Sequence, residues 1–448
     1  IVNIDSRVSV SAYKSTGSWS GTGFIADSKN GYLVTNCHVV GRASIGTYFI
    51  TFHNGQQSEA KVVYYDAYAD VAILKIDPTD FPKDIETIEF AKEEPKLGEE
   101  VFIVGNTEGH GFSFHEGILS NLYEISGEMP QGSYVINMNI AGGASGSPVI
   151  NSDYKAIGVV YGGSKTYALA LRNYYVQHIL RALQAGKTTQ NRNHIGVITE
   201  LYSLDRAIKH RNFPKAEIEN YINEMPDAKN RVIVVSSVTP SSTAKSVIRA
   251  GDILWEVNGL QIGADLTILD RAMNEATDKI TLTIYRNGEK LQREVKVYDL
   301  EKNKVTKMFD FAGGVFFEAD DYYASRSGTP IRGVCLATVQ NGSSFSDITE
   351  TFSEDDKNFY RIMVSSLHGT KISSLDELIL VANEAIKRKH INFEYKNYLS
   401  YYSKFGGSLN TSHENLTQDI TFDSTDAKPR IFKFDPSVYE WKVEVLEQ

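Results

Sequence analysis

A serine set among small residues, Gly143-Ala144-Ser145-Gly146-Ser147-Pro148, is where chemistry first becomes legible in this sequence. Small neighbours let the backbone turn tightly, which exposes the hydroxyl and aims adjacent N–H groups the same way. Acyl transfer needs both a reachable nucleophile and donors for the oxyanion it creates. Gly and Ser also meet in ordinary turns, so the motif alone decides little. A serine hydroxyl is a poor nucleophile at neutral pH and needs a base; the base needs a third group to fix its tautomer. His38 ends the run Gly31-Tyr32-Leu33-Val34-Thr35-Asn36-Cys37-His38-Val39-Val40, and Asp70 heads Asp70-Val71-Ala72-Ile73-Leu74-Lys75-Ile76. Both runs read as buried strands that deliver a polar side chain at one end. Taken singly, His38 is as well explained as a satisfied core histidine and Asp70 as a strand-start cap. Three matched contexts in the order His, Asp, Ser are not.

These segments resemble the HtrA/Deg family of serine proteases. Gly21-Thr22-Gly23-Phe24-Ile25 with the run ending at Val40 resembles the family's first signature, and Asp70 to Ile76 its second. Val104-Gly105-Asn106 and Glu116-Gly117-Ile118-Leu119-Ser120 are similar to the turn and strand between acid and serine. Two residues of the serine loop depart from the family: Ala144 stands for an asparagine and Ser147 for a glycine. Neither removes the nucleophile or the backbone donors. The resemblance implies Ser145 as nucleophile, His38 as general base and then acid, and Asp70 as the group that orients His38. It implies an oxyanion hole from the N–H groups of Gly143 and Ser145, and a primary specificity pocket lined by Leu169-Ala170-Leu171. Those leucines suit medium apolar side chains, but they equally suit packing of a barrel. An ATP-independent endopeptidase of protein quality control is implied, acting on unfolded polypeptides, without a cofactor or metal. A homotrimer or higher oligomer through residues near Tyr13 and Trp19, and an extracytoplasmic (periplasmic or organellar) location, are also implied. The alternative is a catalytically silent scaffold or chaperone that keeps a protease-like domain.

The expected fold is mainly β: a chymotrypsin-like double β-barrel followed by two PDZ-like α+β domains. Residues 1–183 show short β-rich runs between Gly, Asn, Asp and Ser turns, closed by a helix over 174–183. A polar linker follows at 184–191. Residues 192–305 resemble a PDZ domain, through Val232 to Ala244, Ala250-Gly251-Asp252-Ile253-Leu254 and Val257-Asn258-Gly259. Its carboxylate loop for peptide C-termini is assigned to Ile195-Gly196-Val197, with free N–H groups beside a strand edge. A helical insertion over 202–225, with Ile208, Ile218, Tyr221 and Ile222 as apolar contacts, is placed over the groove. Residues 306–398 form a faint repeat, a degenerate PDZ-like domain in which Val364 to Gly369 parallels Leu254 to Gly259. Gly313-Gly314-Val315-Phe316 is its candidate carboxylate loop, Ser353 to Lys357 an acidic solvated loop, and Lys387 to His390 a basic end to the helix that starts at Leu375. Residues 399–448, rich in aromatics (Tyr401, Tyr402, Phe405, Phe432, Phe434, Tyr439, Trp441), are expected to add strands.

Composition narrows the function classes. The chain has 448 residues, 42% hydrophobic and 23% charged, with a formal net charge of −10. That charge disfavours a phosphate-backbone binder, so no nucleic-acid partner is expected. The two cysteines, Cys37 and Cys335, fall in different predicted domains, and no metal-ligand spacing occurs. Cys37 reads as a small buried residue rather than a second nucleophile. No apolar run is long enough to span a membrane. The start at Ile1-Val2 reads as removal of a targeting segment or trimming of the region.

Overall fold

The computed structural model describes residues 1–12, 16–126, 129–187, 191–239, 241–323, 332–346, 348, 359–388, 390–401, 410–422 and 428–446. The expectations placed on Tyr13, on Ser353 to Lys357, and on Tyr402 and Phe405 lie outside the described residues. The chain divides into two compact units. One holds 1–7, 18–40 and 47–302; the other holds 8–17, 41–46 and 303–448.

Two closed six-stranded barrels come first. The first barrel comprises β1 (Val2–Ser11), β2 (Gly17–Asp27), β3 (Tyr32–Thr35), β4 (Ser44–Thr51), β5 (Gln57–Asp66) and β6 (Val71–Lys75), with a one-turn helix α1 (Cys37–Val40) after β3. The second comprises β7 (Glu100–Gly105), β8 (Ser113–Ser126), β9 (Met129–Asn137), β10 (Pro148–Ile150), β11 (Ala156–Gly163) and β12 (Ala168–Arg172). Its interior is filled by inward-facing alternate residues such as Val101, Ile103, Leu119, Ile136, Val149, Ala168 and Ala170. Helix α2 (Asn173–Gln184) then follows, as its apolar spacing predicts, and buries Tyr175, Val176, Ile179, Leu180 and Leu183.

The same unit continues with β13 (Asn193–His194), β14 (Val197–Ser203), α3 (Leu204–Arg211), α4 (Ile218–Glu224), β15 (Arg231–Val238), β16 (Ile253–Val257), β17 (Leu260–Gln261), α5 (Leu266–Glu275), β18 (Lys279–Arg286), β19 (Glu289–Lys296) and β20 (Tyr298–Asp299). The sheet runs β14-β15-β16-β18-β19, with β14 at an edge. Alternation sorts its residues onto two faces. Ile233, Val235, Leu254 and Leu282 pack with Leu266, Leu269 and Met273 of α5. Val232, Val234, Trp255 and Tyr285 pack with Leu204, Ala207 and Tyr221 of the insertion. The insertion therefore covers the sheet face opposite α5, not the groove beside it. Its first helix starts two residues later than expected because β14 runs on to Ser203, and Ile222 points outward at 38% exposure.

The second unit repeats that strand order. Strands β21 (Lys307–Phe311), β22 (Gly314–Glu318), β23 (Val334–Val339), β24 (Phe359–Leu367), β25 (Thr370–Lys371), β26 (His390–Tyr401), β27 (Asn410–Thr421), β28 (Arg430–Asp435) and β29 (Glu440–Val445) form one sheet, with α6 (Leu375–Ala385) upon it. The run β22-β23-β24-β26-β27 matches β14-β15-β16-β18-β19. Gly313 does not open a carboxylate loop. Ala312 and Gly313, at φ 50° and 83°, form the two-residue turn of the β21–β22 hairpin, with Phe311 paired to Gly314. Strand β22 is thus bonded on both edges, by β21 and β23. The aromatic C-terminal segment does add strands, since β28 pairs with β21 and β29 with β28. Lys387 and Arg388 lie beyond the end of α6, and Arg388 contacts the His368 ring at 2.9 Å rather than closing the helix. Phe309 of β21 is fully buried among Phe311, Phe316 and the α6 face. Phe309→Ala is expected to destabilise this unit by about 3–5 kcal/mol, read as a lowered urea midpoint in far-ultraviolet circular dichroism.

Candidate active site

The register of the first barrel brings His38 and Asp70 together. Antiparallel β3 and β6 pair Thr35 with Ala72. Continuing past Thr35 therefore carries the chain alongside the residues that precede Ala72, and Cys37 N donates to Asp70 O at 3.1 Å. Helix α1 turns His38 back over this point. The Asp70 carboxylate accepts from the His38 backbone N–H at 2.9 Å and meets Nδ1 at 2.6 Å. Asn36 Nδ2 donates to the Asp70 carbonyl at 3.1 Å, and Asp70 takes the left-handed φ of 53°. The aspartate side chain is 2% exposed and the histidine 25%. A buried carboxylate oxygen this close to Nδ1 fixes the ring proton there and leaves the Nε2 lone pair as the basic site.

Ser145 arrives from the second barrel. Its carbonyl accepts from Thr22 N at 2.8 Å, which sets the serine loop against β2. A Cβ placed on the adjoining Gly21 would lie 2.8 Å from the Val39 side chain and 3.4 Å from Ser145 O. One residue of β2 thus separates the neighbour of His38 from the serine. Gly146 sits at φ 88°, and a Cβ there would fall 1.9 Å from Thr22 O and 2.5 Å from the Thr35 hydroxyl. Only glycine lets the loop approach this closely.

The loop carbonyls are held from outside it. Glu108 N donates to Gly142 O at 2.7 Å, and the Thr22 hydroxyl donates to Gly143 O at 2.7 Å. Among the described residues, the Gly143 and Ser145 N–H groups have no acceptor. They are the pair that the family resemblance implies for an oxyanion. On β12, Ala170 is fully buried in the second barrel's core and Leu171 is fully buried, while Leu169, paired with Val135, is only half-buried. Of the three, Leu169 alone retains appreciable surface. Sequence reasoning gave no role to Thr22 or Asn106, although both stand in the motifs quoted above.

Residues 21–159 match the model of the trypsin-like peptidase domain, and residues 218–297 that of the PDZ domain. Uncharacterized protein RP187 of Rickettsia prowazekii is 39% identical over 189 residues, which are 42% of this chain and 97% of that protein. The pro-apoptotic serine protease NMA111 of Meyerozyma guilliermondii is 26% identical over 86% of this chain, and the chain spans 38% of that relative's length. The chain belongs to the HtrA/Deg family of serine proteases. A solved structure, the HtrA-type protease AlgW with tripeptide, aligns with 66% of this chain and 92% of its own, at 22% identity and a TM-score of 0.47.

The PDZ match of this HtrA/Deg chain begins downstream of Ile195-Gly196-Val197. There Ile195 is fully buried in the domain core and Gly196 has φ 74°. The Gly196 N–H is not free: it donates to His194 Nδ1 at 2.9 Å. The Gly196 carbonyl accepts from Thr239 N at 2.8 Å, and the Ile195 carbonyl from the Ser242 hydroxyl at 2.6 Å. The loop is closed by its own neighbours. Cys37 and Cys335 are both buried, and neither is in a disulfide among the described residues.

A buried polar network, not foreseen from sequence, joins the PDZ sheet to the peptidase barrels within the first unit. Arg172 pairs with Asp265 at 2.7 Å and Arg192 with Asp66 at 2.5 Å. The Tyr175 hydroxyl donates to Asp270 of α5 at 2.5 Å. Burial by itself would lower the Arg192 guanidinium, but the Asp66 charge overrides it and raises it above its ordinary value. Burial pushes the Asp270 carboxyl up to about 6, while the Tyr175 hydrogen bond and Arg192 pull it down. A raised carboxyl favours its neutral form in the fold. That stabilisation is complete below the ordinary value of 3.8 and is lost as pH rises through about 6. Between roughly pH 3 and pH 7, Asp270→Asn is expected to lose less unfolding free energy than the parent, by about 3 kcal/mol at 1.36 kcal/mol per unit; denaturant titrations at the two pH values check this.

Proposed function

We propose that this chain is a serine endopeptidase whose nucleophile is Ser145. The 2.6 Å contact between His38 Nδ1 and Asp70 carries the reading, because it leaves Nε2 free to take a proton. In the proposed reaction Ser145 Oγ attacks the scissile carbonyl carbon while His38 Nε2 removes its proton. Asp70 stabilises the imidazolium without itself accepting the proton. The Gly143 and Ser145 N–H groups receive the carbonyl oxygen as it becomes negative. Collapse breaks the C–N bond, and His38 gives its proton to the departing amine. Water then attacks the acyl-enzyme, with His38 first taking its proton and afterwards returning one to Ser145.

Substrates are extended stretches of unfolded or damaged polypeptide, cut without ATP. Leu169 contributes an apolar wall to the primary pocket and so favours medium apolar side chains. The PDZ domain serves peptide binding or regulation, supported by the place of β14 at the end of its sheet. A homotrimer and a role in stress-linked quality control complete the proposal and rest on family membership. Ser145→Ala is expected to lower casein turnover by about a millionfold with an unchanged melting temperature; digestion at the parent's rate would refute the assignment. Asp70→Asn, which keeps shape but presents the wrong hydrogen-bonding pattern to Nδ1, is expected to lower kcat by about ten-thousandfold, measured on the same substrate.

A further inference from the structure

We propose that the hydroxyl of Thr22 is the positioning group that sets the orientation of the oxyanion-binding loop. The inference rests on the Ser145 reading above. Thr22 is fully buried, and every hydrogen-bonding capacity of its hydroxyl is assigned. Its oxygen accepts from Asn106 N at 2.9 Å and from Asn106 Nδ2 at 3.1 Å. A hydroxyl has two lone pairs and one proton. With both lone pairs receiving N–H groups, the single proton has one destination, the Gly143 carbonyl at 2.7 Å. The direction of that bond does not depend on a choice of rotor.

Asn106 is fixed in turn. Its Oδ1 accepts from Phe112 N at 3.2 Å and its Nδ2 donates to the Val2 carbonyl at 3.1 Å, so the amide is pinned at both ends. The Thr22 backbone completes the arrangement, donating N–H to Ser145 O and accepting the Thr35 hydroxyl at its own carbonyl, 2.7 Å away. One residue therefore grips the loop on both sides of Ala144. It holds the Gly143 carbonyl with its side chain and the Ser145 carbonyl with its main chain. Each held carbonyl lies in the peptide plane that follows a candidate donor, Gly143–Ala144 and Ser145–Gly146, while the planes that carry the donors are held through Gly142 O by Glu108 N and through Ala144 O by Ser147 N. With Thr22 fixing the following planes, the two donor residues are preorganised, which is what the transition state rewards. Space permits no easy alternative, since a Cβ on Gly143 would stand 2.2 Å from Asn106 O.

Thr22→Val keeps the shape and removes the proton. It strands the Gly143 carbonyl and the Asn106 N–H without partners. The expected result is a kcat on a chromogenic peptide lowered by about ten- to a hundredfold, below the loss from deleting an oxyanion donor outright, with KM unchanged. Thr22→Ser, which restores the hydroxyl, should recover most of the lost kcat; a purely packing role for the threonine methyl would not be rescued this way. A folded Thr22→Val with the parent's kcat, or a loss confined to KM, overturns the proposal. Should Thr22→Val lack a cooperative melt, Thr22→Cys is read by the same split: a lowered kcat at constant KM is expected, and a full kcat overturns the proposal. Ser145→Ala assayed alongside separates the two claims. If it is inert while Thr22→Val is fully active, only the positioning role fails; if it is active, the nucleophile assignment itself fails.

Discussion

The His38–Asp70 pair and Ser145 sit on different closed barrels, so the candidate site depends on how closely two separate surfaces meet at β2. The Thr22 N–H to Ser145 carbonyl bond, 2.8 Å long, is the main-chain link across that meeting. Gly146 makes it attainable by presenting no side chain where Thr22 O and the Thr35 hydroxyl lie. Closed barrels have no free edge along which to slide. Register inside the first barrel places His38 over Asp70, and register inside the second places the turn before β10. What remains to be set is the offset between them, and a fully hydrogen-bonded threonine with both carbonyl clamps sets it.

The meeting of His38 and Asp70 was legible because each stands at the end of an apolar run whose pairing is local. Thr35 opposite Ala72 is a consequence of two short buried strands, and His38 beside Asp70 follows from it. The double barrel, α2 and the repeat in the second unit were legible for the same reason: their periodicities are strong. Thr22 was not, because its partners at Asn106 and Gly143 lie 84 and 121 residues away, and no local pattern announces a hydroxyl between them. The insertion at α3 and α4 was recognisable as helix, but its face was not. That face is decided by which alternate residues of β15 and β16 lack a partner once α5 has covered the others. The buried pairs Arg172–Asp265 and Arg192–Asp66 were equally hidden, since a single arginine in a sequence reads as surface charge.

The two sheets with matching strand order differ where a peptide would add. An extended segment joins a sheet only at an open edge. In the first sheet β14 is terminal. In the second the equivalent strand, β22, has β21 on one side and β23 on the other, with β28 and β29 beyond β21. Its own chain supplies the added strand, and Phe309 and Phe311 supply the side chains that fill the space against α6. The sequence signal for this was slight: Ala312-Gly313 reads as a glycine-containing loop in either case, and only the pairing of Phe311 with Gly314 distinguishes a tight hairpin from a carboxylate cradle.

Labelling with a fluorophosphonate, followed by peptide mapping by mass spectrometry, tests the central claim most directly, because it reads nucleophile activation without needing a substrate. The account predicts one adduct, on Ser145, formed far more slowly when His38 is replaced by alanine. No adduct, an adduct on another serine, or equal labelling of the His38→Ala variant would contradict it.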